Sequence, residues 1–164
     1  MNRLMRELGP FAVVVVLFAA LIGYLLSQGN TVGNWLFAAF LFGHGWVHLM
    51  YLMPRRVVQP AADGATTWPF ELGHSWLSPA VGRAGALHTV GVGLVLVTAL
   101  GFCLGALATI PLLVPAAAWA GLVIASSLAS ATLLSVYFRV SLLIGLAIDA
   151  TLVLVVVLRV WQPA

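Results

Sequence analysis

A chain of 164 residues that is 63% apolar and 7% charged has too few polar side chains to coat a water-soluble globule, where about a quarter of residues carry charge. Its seven basic residues are all arginines, scattered rather than striped, and with Glu7, Asp63, Glu71 and Asp149 they leave a formal charge of +3, which argues against nucleic acid as a partner and bears on membrane orientation. The single cysteine, Cys103, excludes an internal disulfide, a C-x-x-C-H haem attachment and a paired-cysteine zinc site.

Lipid is therefore the expected solvent, and the pattern predicts an all-α polytopic bundle of five spans forming one transmembrane domain over residues 1–164. Span one covers residues 10–27. Its apolar run is longer than a signal core, and no small-x-small cleavage pattern follows, so it reads as a retained helix. Span two covers residues 34–53 and is stopped by Pro54 and the Arg55-Arg56 pair. Residues 54–83 form the one extended polar segment, with four prolines and an Asp63-Gly64 turn signal. Its Trp68, Phe70, Trp76 and Leu77 suit a loop lying along the headgroups, or a lid over the mouth of the bundle.

Span three covers residues 84–108, with small residues at Gly85, Thr89, Gly93, Gly101 and Gly105, the last two a G-x-x-x-G pair. The apolar run that follows is about fifty residues long, more than twice what one crossing needs. Tyr137, Phe138 and Arg139 divide it into span four, residues 111–135, and span five, residues 140–161. In span four, Gly121, Ala125 and Ala129, with Ser126, Ser127 and Ser130, read as a packing face. With five crossings, Arg3, Arg6, Arg55, Arg56, Arg83 and Arg139 fall on one side and Arg159 on the other. The positive-inside rule then puts the amino end in the cytoplasm and the carboxyl end outside.

The stretch of residues 41–51, L-F-G-H-G-W-V-H-L-M-Y, sets two histidines four residues apart inside an apolar span. At 1.5 Å per residue, His48 lies about 7 Å, His44 about 13 Å, His88 about 6 Å and Asp149 about 15 Å below the cytoplasmic surface. His44 and Asp149 match in depth, as do His48 and His88, and Tyr51 shares the face of His44 and His48. A carboxylate at mid-span costs about 2.5 to 3.5 kcal/mol, so Asp149 is expected to be neutral or partnered across helices.

Three readings of this cluster stay open. It can be a hydrogen-bonded seam with no ligand. It can hold a cofactor: a metal ion on His44, His48, His88 and Asp149, a haem between His48 and His88, or a pigment on one imidazole. It can be a proton path through Asp149, Tyr51 and the histidines. His74, followed by Ser75, reads as a solvated interfacial residue. Hydrolase, zinc-protease, phosphate-loop and dinucleotide motifs are missing, which leans against an enzyme.

The runs G-H-G-W-V-H-L-M-Y-L (residues 43–52), W-P-F-E-L-G-H-S-W-L (68–77) and L-I-G-L-A-I-D (143–149) resemble a family of small, uncharacterised multi-pass bacterial integral membrane proteins, over most of the chain from span two onward. The resemblance implies architecture only. From the residues, the expected role is non-enzymatic: an accessory or small cofactor-binding subunit of a bacterial inner-membrane complex, with haem, pigment or a transition metal as cofactor. The alternatives are a small oligomeric transporter or proton-linked carrier, and a purely structural seam. Expected partners are the lipid bilayer, other membrane subunits or further copies of the chain.

Overall fold

Hydrocarbon offers the backbone no water to pair with, so a chain this apolar is driven to bond its own N–H and C=O groups in helices. The computed structural model describes residues 31–53, 70–73, 75–81, 84–110 and 113–162, together with Val16 and Ala20. Helix α1 (Thr31–His48) continues as a 3-10 turn, Leu49–Leu52; a short α2 (Ser78–Val81) and the long α3 (Ala84–Thr109) follow. Next come α4 (Trp119–Val136), entered through a 3-10 turn at Ala116–Ala118, and α5 (Leu143–Val157), entered through another at Val140–Leu142. Four stretches, Val32–Leu52, Gly85–Thr109, Ala116–Val136 and Val140–Val157, are long and apolar enough to cross a membrane. The expected span at residues 10–27 lies outside the described residues except for Val16 and Ala20, which are helical. Arg3, Arg6, Arg55, Arg56, Arg83 and His74 also lie outside them.

Prolines and one left-handed residue set the helix ends. Met53 turns extended (ψ 131°) ahead of Pro54, as the residue before proline prefers. Pro115 is extended as well (ψ 138°), so α4 starts later than the expected span at residues 111–135, proline having no N–H to give. At the other end α5 stops at Val157 rather than Trp161. Arg159 adopts φ 51°, and its N–H bonds Val156 O while that of Val160 bonds Val155 O, both at 3.1 Å. This is the paired closure that glycine usually makes.

The long helices pack in chain order, α1 on α3, α3 on α4 and α4 on α5. Small residues let them approach. A Cβ built on Gly45 would stand 2.9 Å from Phe102 Cβ, and one on Gly101 would overlap the Ser126 side chain. Gly105, the other half of the G-x-x-x-G pair, faces Val123 and Leu41, so the motif lies on packed surface. Gly121 and Ala125 do not: both are exposed, and nothing approaches the Cβ position of Gly121. The buried face of α4 includes instead Val123, Ser126, Ser127, Ser130, Leu133 and Leu134, and of its serines Ser130 reaches polar partners on two other helices.

These faces build three layers. One apolar cluster joins Phe37, Leu41, Phe102, Trp119, Val123 and Leu152, with Phe37, Trp119 and Trp161 in edge or tilted ring contact. The second, toward the other end, joins Tyr51, Leu72, Val95, Leu133, Leu134, Tyr137 and Leu142. Between them, buried polar residues come from each long helix: His48, Thr98, Ser126, Ser127, Ser130 and Asp149.

Candidate functional site

The middle layer contains a continuous hydrogen-bonded chain drawn from three helices. Asp149 of α5, 2% exposed, holds His44 Nε2 of α1 at 3.1 Å from Oδ1. Its other oxygen, Oδ2, meets Ser130 Oγ of α4 at 2.5 Å. Ser130 Oγ also lies 2.8 Å from His48 Nε2. The far nitrogen of His48, Nδ1, is 2.9 Å from the His44 backbone oxygen one turn earlier. The Phe102 ring walls the imidazoles on the α3 side, 4.8 Å from His44 and 6.4 Å from His48 between centroids.

Counting hydrogens shows what this arrangement requires. A backbone carbonyl only accepts, so Nδ1 of His48 donates to His44 O. Ser130 has one hydroxyl hydrogen but two neighbours, His48 Nε2 and Asp149 Oδ2. If Ser130 donates to an Asp149 carboxylate, Nε2 must donate to Ser130, and His48 is an imidazolium. If Ser130 donates to a bare Nε2, Asp149 must donate to Ser130, and the carboxyl is neutral. Either way the intact chain carries one proton more than a carboxylate beside a neutral imidazole. The two arrangements interconvert by a concerted shift along N–H···O–H···O, with every bond kept.

The sequence-derived site residues separate in space. His44, His48 and Asp149 come together, joined by Ser130. His88 does not: it is exposed and lies ten residues, about 15 Å, before Thr98 on α3. The depth match of His48 with His88 fails for this reason, and the two do not face each other across a haem plane. Among the described residues no group of three or more His, Cys, Asp or Glu is arranged to hold a metal ion. Tyr51 is buried in the cluster beyond His48, its ring against Phe70 and Tyr137 and its hydroxyl without a hydrogen-bond partner among the described residues. Ser130, the central atom donor, was legible only as part of a packing face.

Residues 70–73 and 75–81 lie at this end of the bundle. Leu72 is buried against Tyr51 and Tyr137. Ser75 Oγ donates to Val136 O and Trp76 Nε1 to Ser135 O, both at 2.7 Å, which pairs two carbonyls that the end of α4 leaves open. Arg139 Nη2 donates to Glu71 Oε2 at 3.3 Å, and Tyr137 Oη to Leu87 O at 2.7 Å. Burial pushes the Tyr137 phenol above its usual range. The folded state thus holds the neutral form, so stability is untouched below about pH 10 and falls as pH rises past it. Unfolding midpoints measured against pH should show that alkaline loss in the wild type and a smaller one in Tyr137→Phe.

Comparison of the chain with protein-family models, with curated proteins and with solved structures finds no match.

Proposed function

We propose that this chain is a small multi-pass membrane protein that works as a proton-linked carrier, with His48, Ser130 and Asp149 as the proton-holding element. One observation carries the reading: a single serine hydroxyl faces both an imidazole nitrogen and a carboxylate oxygen. The chain of bonds is complete only when an extra proton is present. When that proton leaves, two acceptors compete for one hydrogen and one bond opens, either between α1 and α4 or between α4 and α5. Proton loss therefore weakens a specific helix–helix link, the kind of bias that moves a two-state carrier. Tyr51, one turn beyond His48 and beneath Phe70, is the next hydroxyl toward residues 70–73 and a candidate relay group. The six-to-one arginine asymmetry supports a bacterial cytoplasmic membrane with residues 70–73 on the cytoplasmic side. The cofactor-binding subunit has less support, because His48 engages both ring nitrogens and His44 engages Nε2 within the protein.

Purified protein in lipid vesicles under an imposed pH gradient, followed with an entrapped pH dye, tests this. The wild type is expected to dissipate the gradient faster than empty vesicles, and Ser130→Ala to lose most of that excess. Ser126→Ala, whose hydroxyl bonds Leu122 O in its own helix, should keep it. Wild-type vesicles no leakier than empty ones would overturn the carrier reading.

A further inference from the structure

We infer that a water molecule is bound beside Thr98, joining its hydroxyl on α3 to the His48–Ser130 pair. Thr98 is fully buried, yet its Oγ1 has no hydrogen-bond partner among the described residues. A helical threonine or serine has an easy remedy, the carbonyl four residues back. Thr89, Thr109, Ser126, Thr132 and Thr151 all take it. Thr98 does not, so its hydroxyl is turned away from its own helix.

Helix register says what lies opposite. On the α1 side, Gly45 abuts Ala99 and Phe102, so in this antiparallel pair His48, one turn on from Gly45, comes level with Thr98. Phe102, which touches both imidazoles, stands four residues from Thr98 on the same face. On the α4 side, Gly101 abuts Ser126 and Gly91 abuts Tyr137, which sets Thr98 level with Ser130. Within the relay Ser130 Oγ donates one hydrogen and engages one lone pair, leaving its second lone pair free. A water there accepts from Thr98 and donates to Ser130. Ser127, one turn before Ser130, carries another buried hydroxyl with no partner among the described residues and offers a third bond. Two to four such partners are what a buried water needs, and a buried hydroxyl left bare is costly. The water makes Thr98 a positioning residue for Ser130 and brings α3 into the relay beside α1, α4 and α5.

Full-length Thr98→Val in detergent micelles gives opposite signs for the two cases. If the water is bound, the variant loses its anchor and the unfolding midpoint falls by about 2 to 4 °C, while Thr98→Ser stays close to wild type. If the site is dry, removing an unpaired hydroxyl relieves its desolvation cost and the midpoint rises, which overturns the inference. In the wild-type protein, a nuclear Overhauser contact between bound water and the Thr98 methyl is expected, and its absence also overturns it. Replacing Na⁺ by choline at constant ionic strength should leave the wild-type midpoint unchanged; a drop that Thr98→Val abolishes assigns the guest to a cation and sinks the water. None of these readouts depends on proton flux, so failure of this site and failure of the carrier reading are distinguishable.

Discussion

Asp149→Ala is expected to lower stability by about 3 kcal/mol, within the range for removing one partner of a buried polar pair, whereas Asp149→Asn is expected to stay within about 1 kcal/mol of wild type. The difference follows from hydrogen counting. Alanine strips His44 Nε2 and Ser130 Oγ of their shared partner, leaving the His44 ring N–H unpaired between four helices and Ser130 with His48 alone. Asparagine reproduces the neutral-carboxyl arrangement: its Oδ1 accepts from His44, its Nδ2 donates to Ser130, and Ser130 donates to His48 Nε2. Every bond survives, but the amide cannot release a proton. Asp149→Asn should therefore fold well and fail to carry protons in vesicles. Denaturant titration in detergent, read beside the gradient assay, checks both halves. Equal destabilisation by Ala and Asn would show that the carboxyl's partners are not those described above.

How far the sequence reveals this site depends on the difference between depth and rotation. Counting 1.5 Å per residue from each helix end brings His44 and Asp149 to one level, and they are indeed 3.1 Å apart. The same counting pairs His48 with His88 and misleads. Thr98, about 15 Å further along α3, is the residue level with His48, and depth in any case says nothing about which way a side chain points: His88 faces outward. In a soluble helix the apolar stripe supplies rotation. These helices are apolar all round, so a lipid-facing leucine such as Leu128 and a packed one such as Leu133 look alike in the sequence. The small-residue rule is half right on α4 for the same reason: it groups Gly121 and Ala125 with Ser126, Ser127 and Ser130 on one packing face, and only the serines of that set are buried. Ser130 was within reach: it stands about 9 Å inside Val136, near the histidine level, but a serine in a span usually bonds its own backbone, as Ser126 does. The span boundary was most visible at Pro54, whereas Pro115 was passed over and span four was expected to begin at residue 111, ahead of the observed start. The amino-terminal span, residues 10–27, lies outside the described residues apart from Val16 and Ala20.

The geometry of the relay also depends on a residue with no side chain, and Gly45→Ala tests that. Gly45 sits between the two histidines, where α1 presses on α3. An added Cβ would lie 2.9 Å from Phe102 Cβ and 3.0 Å from the Ala99 carbonyl oxygen, and neither atom is the tip of a side chain that can swing away. Helix α1 must shift, at a cost of about 1 to 3 kcal/mol for overpacking, against about 0.5 to 1 kcal/mol gained by replacing glycine in a helix. The net change is expected to be a loss of about 1 kcal/mol with alanine and more with valine. Gly43→Ala provides the opposite sign from two residues away. Nothing lies within 4 Å of its Cβ position, so only the propensity gain remains and stability should rise. The shift in Gly45→Ala carries His48 with it and stretches the 2.8 Å bond to Ser130, so proton flux should fall further than the stability loss alone accounts for. Unfolding midpoints of both variants, with vesicle flux normalised to folded protein, check this. If Gly45→Ala proves as stable as Gly43→Ala, α1 and α3 are not in the close contact on which the alignment of the relay rests.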